Sequence, residues 1–344
     1  MKKQIICSVI VLACPLLFAQ TANFQAVLPL LQAPNRTAAQ NQQVLDLFLS
    51  AKQPQVIFSA GASLVRIPPA PIQENRLLNV IVKNSDDLKK VFSAVILTAM
   101  GTSHPELSEL LQQATASADT AVRAYAAAAY TILNPQTTQY ASDIVQLYIY
   151  DPAFAQRAMN LLCANDKQML SYLKVAAAHT QPNVRAAAAA WLGDLQSKNA
   201  TKQLLKMAKT ETDTQVMTAI ATALAKNQPE TLQSVVDALN ANYTTKPATT
   251  YALALGFMTG YAVEPIKKSL SHKNLNVRIN AARAAAYMAG TLNSEQASLY
   301  TTDKAFDTQL LKGLIPSLAV MYRTDKPVAQ TYADNALKQI AKLK

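Results

Sequence analysis

A phrase most legible at residues 181–195 returns along this chain, and that recurrence constrains the fold more than any single motif. Within it, Pro182 suits a first helical turn, where its missing N–H would be unpaired anyway, and Asn183 stands just before the pair Val184-Arg185. The five alanines that follow are strong helix formers with almost no bulk, so a helix with this middle lets another backbone approach closely. Trp191, Leu192 and Leu195 then supply larger apolar surface.

Copies of the phrase set a period. Asp119 precedes Val122-Arg123 and the alanines at 126–129; Asp213 precedes Val216 and Ala219, Ala221 and Ala223; Asn274 precedes Val277-Arg278 and the alanines at 281–282 and 284–286. The marker valines 122, 184, 216 and 277 are 62, 32 and 61 residues apart, so a weaker copy belongs midway in each long interval. Asp151-Pro-Ala-Phe154 and Lys246-Pro247-Ala248 supply them. A unit of about 31 residues holds two helices that cannot bury their apolar faces alone, and stacking such units makes an all-α solenoid. First helices are expected near 86, 120, 152, 182, 213, 247 and 275, and second helices near 104, 138, 166, 198, 229 and 262.

An Asp or Asn turn, then Val-Arg, then an alanine-rich helix ending in Leu resembles the HEAT repeat, in its short HEAT-like form. Val122-Arg123, Val184-Arg185 and Val277-Arg278 match best, whereas Met217 stands where Arg is expected and the copies at 154 and 247 lack the pair. The resemblance implies a right-handed α-solenoid over residues 85–344. It also implies that Arg123, Arg185 and Arg278 hydrogen-bond between neighbouring turns, a structural role, and that second helices line the concave face.

Residues 20–84 do not show the phrase and read as an N-terminal cap region, mostly helical. Residues 37–52 and 74–83 read as helices, while residues 56–67, containing Gly61 and running into Pro68-Pro69-Ala70-Pro71, read as an extended loop or short strand. At the other end, residues 305–322 read as one helix kinked at Pro316, followed by a final helix over 326–344 with Lys338, Lys342 and Lys344 as a polar cap.

The first nineteen residues read as a secretory signal. Lys2 and Lys3 precede an apolar run from Ile5 to Phe18, too short to span a bilayer but right for the apolar core of a signal peptide, and Ala19 is the expected last residue before cleavage. A second reading takes Val11-Leu12-Ala13-Cys14 as a bacterial lipobox, with Cys14 lipidated and the protein held at a membrane. Either way the expected location is outside the cytoplasm, in the periplasm, with outer-membrane association under the lipid reading. Cys163 is then the one cysteine of the mature chain, so no internal disulfide forms, and its place on a repeat helix suits an inert thiol.

Catalytic and metal-binding patterns are absent. His179 and His272 fall five residues before Val184 and Val277, on equivalent turns about 25 to 30 Å apart at ~8 to 10 Å per helix layer, so they cannot share a metal. The Gly-rich phosphate loop and the Gly-x-Ser-x-Gly elbow are also missing. No cofactor is expected and no enzyme activity; a hydrolase assembled from distant repeats is the remaining catalytic alternative.

Charge points to partners. Setting Lys2 and Lys3 aside leaves 30 basic against 21 acidic residues, a balance of +9. Lys198, Lys202, Lys206 and Lys209 form one stripe on a second helix, and Lys267 and Lys268 lie on another. Either these lysines are a solvated face or they form a basic groove for an acidic ligand: a protein surface, anionic lipid, glycan or nucleic acid. The export signal and the lack of stacking aromatics in the stripe argue against nucleic acid. Tyr148 and Tyr172, on successive second helices with Tyr140 and Tyr150, read as packing at the core's edge or as a contact patch. The function expected is that of an exported scaffold or adaptor of the cell envelope, docking a protein partner within a larger envelope or secretion assembly.

Overall fold

The computed structural model describes residues 22–135, 138–163, 165–226, 230–241 and 247–343. Residues 1–21, with the expected signal and Cys14, and Lys344 lie outside them. The described residues form helices and turns, and none of these helices is long and apolar enough to cross a membrane. The chain divides into two compact units, Met1–Met169 and Leu170–Lys344.

Unit 1 runs α1 (Ala22–Gln32), α2 (Ala38–Ser50), α3 (Pro54–Arg66), α4 (Glu74–Lys83), α5 (Asp87–Met100), α6 (Pro105–Ala114), α7 (Thr120–Leu133), α8 (Ala141–Leu147) and α9 (Pro152–Leu162). The division into units falls inside α10 (Asp166–Ala176). Unit 2 continues with α11 (Pro182–Asp194), α12 (Lys198–Thr210), α13 (Thr214–Lys226), α14 (Leu232–Ala241), α15 (Pro247–Phe257), α16 (Val263–Leu270), α17 (Leu275–Leu292), α18 (Lys304–Lys312), α19 (Ile315–Thr324) and α20 (Pro327–Ala341).

The recurring turn residues start these helices. Asp119 accepts from the amides of Ala121 and Val122, Asp213 from Gln215 and Val216, and Asn274 from Asn276, each satisfying N–H groups that the first helical turn leaves unpaired. Pro152, Pro182 and Pro327 occupy first turns, as their fixed φ favours.

The alanines explain the packing. In unit 2, α11, α13, α15, α17 and α20 pack each against the next as one layer, and α12, α14 and α16 lie on that layer as second helices. Ala186 to Ala189 are buried, and a Cβ at Gly193 would come within 2.8 Å of the Ala223 backbone, so α11 and α13 meet nearly backbone to backbone. Each alanine removes little apolar area from water, so the layer gains its stability by repetition, with Trp191, Leu192, Ile220, Leu224 and Met288 supplying the larger buried surfaces. In unit 1 the corresponding layer is α3, α5, α7 and α9, and aromatics tie it together: Phe58 to Phe92 at 5.2 Å, Phe92 to Tyr125 at 5.4 Å and Tyr125 to Phe154 at 6.3 Å between ring centroids.

Two local expectations change. Residues 56–66 are not extended but belong to α3, with Ile67 as its C-cap; the helix is buried at Val56, Ile57, Ala60, Leu64 and Val65, and Gly61 makes room for the Phe92 ring rather than a turn. α3 packs against α2 and α5, and α4 packs against α5, although α3 lacks the Val-Arg phrase. The helix expected over 305–322 is two helices, α18 and α19, because Pro316 falls in the first turn of α19, where a proline starts a helix instead of bending one. α17 runs through Gly290 to Leu292 before a short 3-10 turn at Ala297–Leu299.

Candidate functional site

The three repeat arginines are committed to the fold. Arg123 donates to Ser117 O at 3.0 Å and to Asp143 Oδ1 at 2.9 Å; Arg185 donates to His179 O and Thr180 O, both at 2.9 Å, and forks onto Glu211 at 2.8 and 2.9 Å. Arg278 repeats the pattern on His272 O, Lys273 O and both carboxylate oxygens of Asp325. Each guanidinium thus closes the turn before its own helix and reaches an acid on a later element. Val122, Val184 and Val277 beside them are buried. Burial pushes the Glu211 carboxyl up, but the bonds from Arg185 and from the Asp213 and Thr212 amides outweigh it and hold it below the ordinary carboxylate value. Planar, bidentate Arg–carboxylate pairs of this kind are the strong ones.

Histidine, cysteine and tyrosine are also placed by local geometry. His179 and His272 accept at Nδ1 from the amides of Gln181 (3.1 Å) and Asn274 (3.0 Å), making equivalent turns. No cluster of three potential metal ligands occurs among the described residues. Burial pushes the Cys163 thiol up to about 11, away from the thiolate that reacts. Tyr148 is buried at the end of α8 and Tyr172 is half-buried on α10, while Tyr140 packs edge-on to Tyr130 and shares a hydrogen bond with Thr115.

The lysines of α12 are placed differently. Ala200, Leu204, Met207 and Ala208 bury one face of the helix, and Lys198, Lys202, Lys206 and Lys209 are exposed on the remainder. Among the described residues no ion pair involves any of the four. Like charges one turn apart destabilise a helix by ~0.2–0.5 kcal/mol a pair, which an anionic surface would relieve.

Lys267 lines something more built, and Lys268 follows it on α16. Val263, Glu264 and Lys267 of α16 and Phe306, Gln309 and Leu310 of α18 line a cleft of about 300 Å³, with Gly313 at its end. Phe306 is 55% exposed at the cleft, and Tyr261, two residues before Val263, is 57% exposed. The tight turn Thr259–Ala262, which leads into α16, packs on α18: a Cβ at Gly260 would lie 2.1 Å from Asp307 Oδ1, so only glycine lets this turn press against α18. Thr259 holds a φ of 45°, rare for a β-branched residue, while its hydroxyl donates to Tyr300 O at 3.2 Å. Lys267 meets Glu264 at 4.0 Å with both side chains more than half exposed, a pair worth roughly 0–1 kcal/mol, and Lys268 is exposed. Sequence reasoning found the lysines but missed Phe306, Leu310 and Gly313; their spacing of four and three residues puts them on one helix face, which treating 305–322 as a single helix obscured.

Stacked helix pairs of this kind define an α-helical repeat protein, a solenoid. Residues 170–254 match the family model described as HEAT repeats, and the repeats are HEAT-like. No curated protein matches the chain in sequence. Similar solved structures include Kap121p bound to Ste12p (12% identity, TM-score 0.43, covering 93% of this chain and 39% of that one). Kap121p bound to Pho4p is also similar (12%, 0.41, 93% and 43%), as is an engineered protein (18%, 0.24, 78% and 98%). This chain spans about two-fifths of the length of those Kap121p chains.

Proposed function

We propose that this chain is an exported, non-enzymatic interaction scaffold of the cell envelope, docking a protein partner on the second-helix surface of unit 2. The carrying observation is a contrast: Arg123, Arg185 and Arg278 are used up in internal pairs, whereas Lys198, Lys202, Lys206, Lys209 and Lys268 project as cations with no ion pair among the described residues. Repeat stacks suit docking because adjacent units present a long surface whose outward residues vary without disturbing the core. The Lys2-Lys3 segment and the apolar run after it support export, and Cys14 supports a lipid anchor.

Because the α12 stripe is bare of aromatics, an acidic ligand such as a glycan or anionic lipid is the second reading. Crosslinking in the native cells, followed by purification and mass spectrometry, tests both. A stable envelope protein partner that is lost when Lys198, Lys202, Lys206 and Lys209 are changed to Glu supports the scaffold. A chain that starts at Gln20 and carries no partner at any salt concentration refutes it.

A further inference from the structure

We infer that the cleft between α16 and α18 is an anchor site for one large apolar side chain, Phe or Leu, carried by an acidic segment of the partner protein. The inference rests on the protein-binding reading above and gives that reading a chemistry. The lining has an apolar part and a polar edge: Val263, which is buried, Leu310 and the exposed ring of Phe306 make the first, and Glu264, Lys267 and Gln309 the second. At about 300 Å³ the space sits at the small end of ligand-sized pockets, enough for a single side chain and far too small for a folded domain.

Charge selects the rest of the segment. Lys267 is held only by an exposed contact to Glu264, and Lys268 stands one residue further along the same helix, also exposed. Carboxylates entering beside the apolar anchor would replace the Glu264 contact and pair with both ammonium groups. The arrangement of a buried apolar anchor inside a charged rim is the one that concentrates binding energy in a few residues. Asp307, the other acid at this place, is buried against Gly260 and so does not oppose an incoming carboxylate at the surface.

The test uses the full chain and a short fluorescent peptide with one Phe flanked on both sides by Glu, read by anisotropy. Two control peptides replace the Phe by Ala or the Glu residues by Lys, and a single-stranded oligonucleotide serves as an unrelated polyanion. The Phe–Glu peptide should bind, and each control peptide should lose about ten-fold or more. Lys267→Glu with Lys268→Glu, and separately Phe306→Ala, should each weaken it similarly, while Lys202→Glu on α12 should not. Phe306 is exposed, so its truncation leaves the core intact, and circular dichroism checks that. Equal binding of the Ala or Lys peptide, tighter binding of the oligonucleotide, or no effect of the cleft variants overturns the assignment. If native crosslinking finds a partner that Phe306→Ala does not release, the cleft is wrong and the scaffold stands. Peptide binding without any crosslinked partner gives the reverse.

Discussion

Asp151 sets two demands of one side chain against each other. It caps α9 by accepting from the Phe154 amide at 3.1 Å, yet it is 1% exposed and its Oδ2 has no hydrogen-bond partner. Burial pushes its carboxyl from 3.8 up to about 6, against the opposing pull of the Phe154 amide and of Arg66 on α3. Beside it the buried phenol of Tyr125 is held protonated, by burial first and then by the Asp151 charge. A folded value above the ordinary one means that the fold prefers the neutral acid. Its contribution is therefore full below about pH 4 and is lost as pH rises through about 6. Asp151→Asn keeps a capping oxygen and removes the charge. Urea denaturation should show the variant more stable than the parent at pH 7.5 by on the order of 2–3 kcal/mol, with the gap closing at pH 4. Parallel pH profiles would show that the carboxylate is stabilised in a way its surroundings do not reveal. The same scale shows a limit of sequence reasoning: Arg123, Arg185 and Arg278 announce themselves beside a valine, but their acceptors Asp143, Glu211 and Asp325 lie 20, 26 and 47 residues later, and only folding brings them together.

Elements were legible where local chemistry and tertiary packing agreed. First helices begin within a residue of their expected places because Asp, Asn and Pro signal a start independently of context. α3 does carry a start signal in Pro54, but Gly61 and the prolines at 68, 69 and 71 pull the same stretch towards a loop, and its helix is decided by what it buries against α2 and α5. α18 and α19 were merged because a proline is ambiguous between kinking a helix and starting one. The cleft between α16 and α18 was hidden with them, since it exists only once the chain breaks at 313–314. The junction of α11 and α12 yields a prediction at this scale. Gln196 holds φ at 45° immediately after α11, a left-handed position that costs most side chains about 1 kcal/mol and glycine almost nothing. Gln196→Gly should therefore raise the midpoint of thermal unfolding slightly, by at most ~0.5 kcal/mol in stability once glycine's extra unfolded-state entropy is set against the relieved strain. A lowered midpoint would mean that the Gln196 side chain contributes more than its backbone costs.

At the scale of the molecule, what matters is that the packing runs between neighbours. Within unit 2 each helix of the first layer touches the next, and within unit 1 α3, α5, α7 and α9 do the same. Stability in such a stack is close to a sum of local terms and interface terms, so damage should stay near where it is made. Met288 is fully buried on α17, which packs on α15, α16 and α20. Met288→Ala leaves a cavity that typically costs about 2–5 kcal/mol. Amide hydrogen exchange should then show protection falling across α15, α16, α17 and α20, while the amides of α5 and α7 keep their parental rates. A fall of equal size in both units would instead mark the chain as one cooperative body. That result would also change how the docking surface is understood, because a partner bound on the second helices of unit 2 would then stabilise every repeat at once rather than the few it touches.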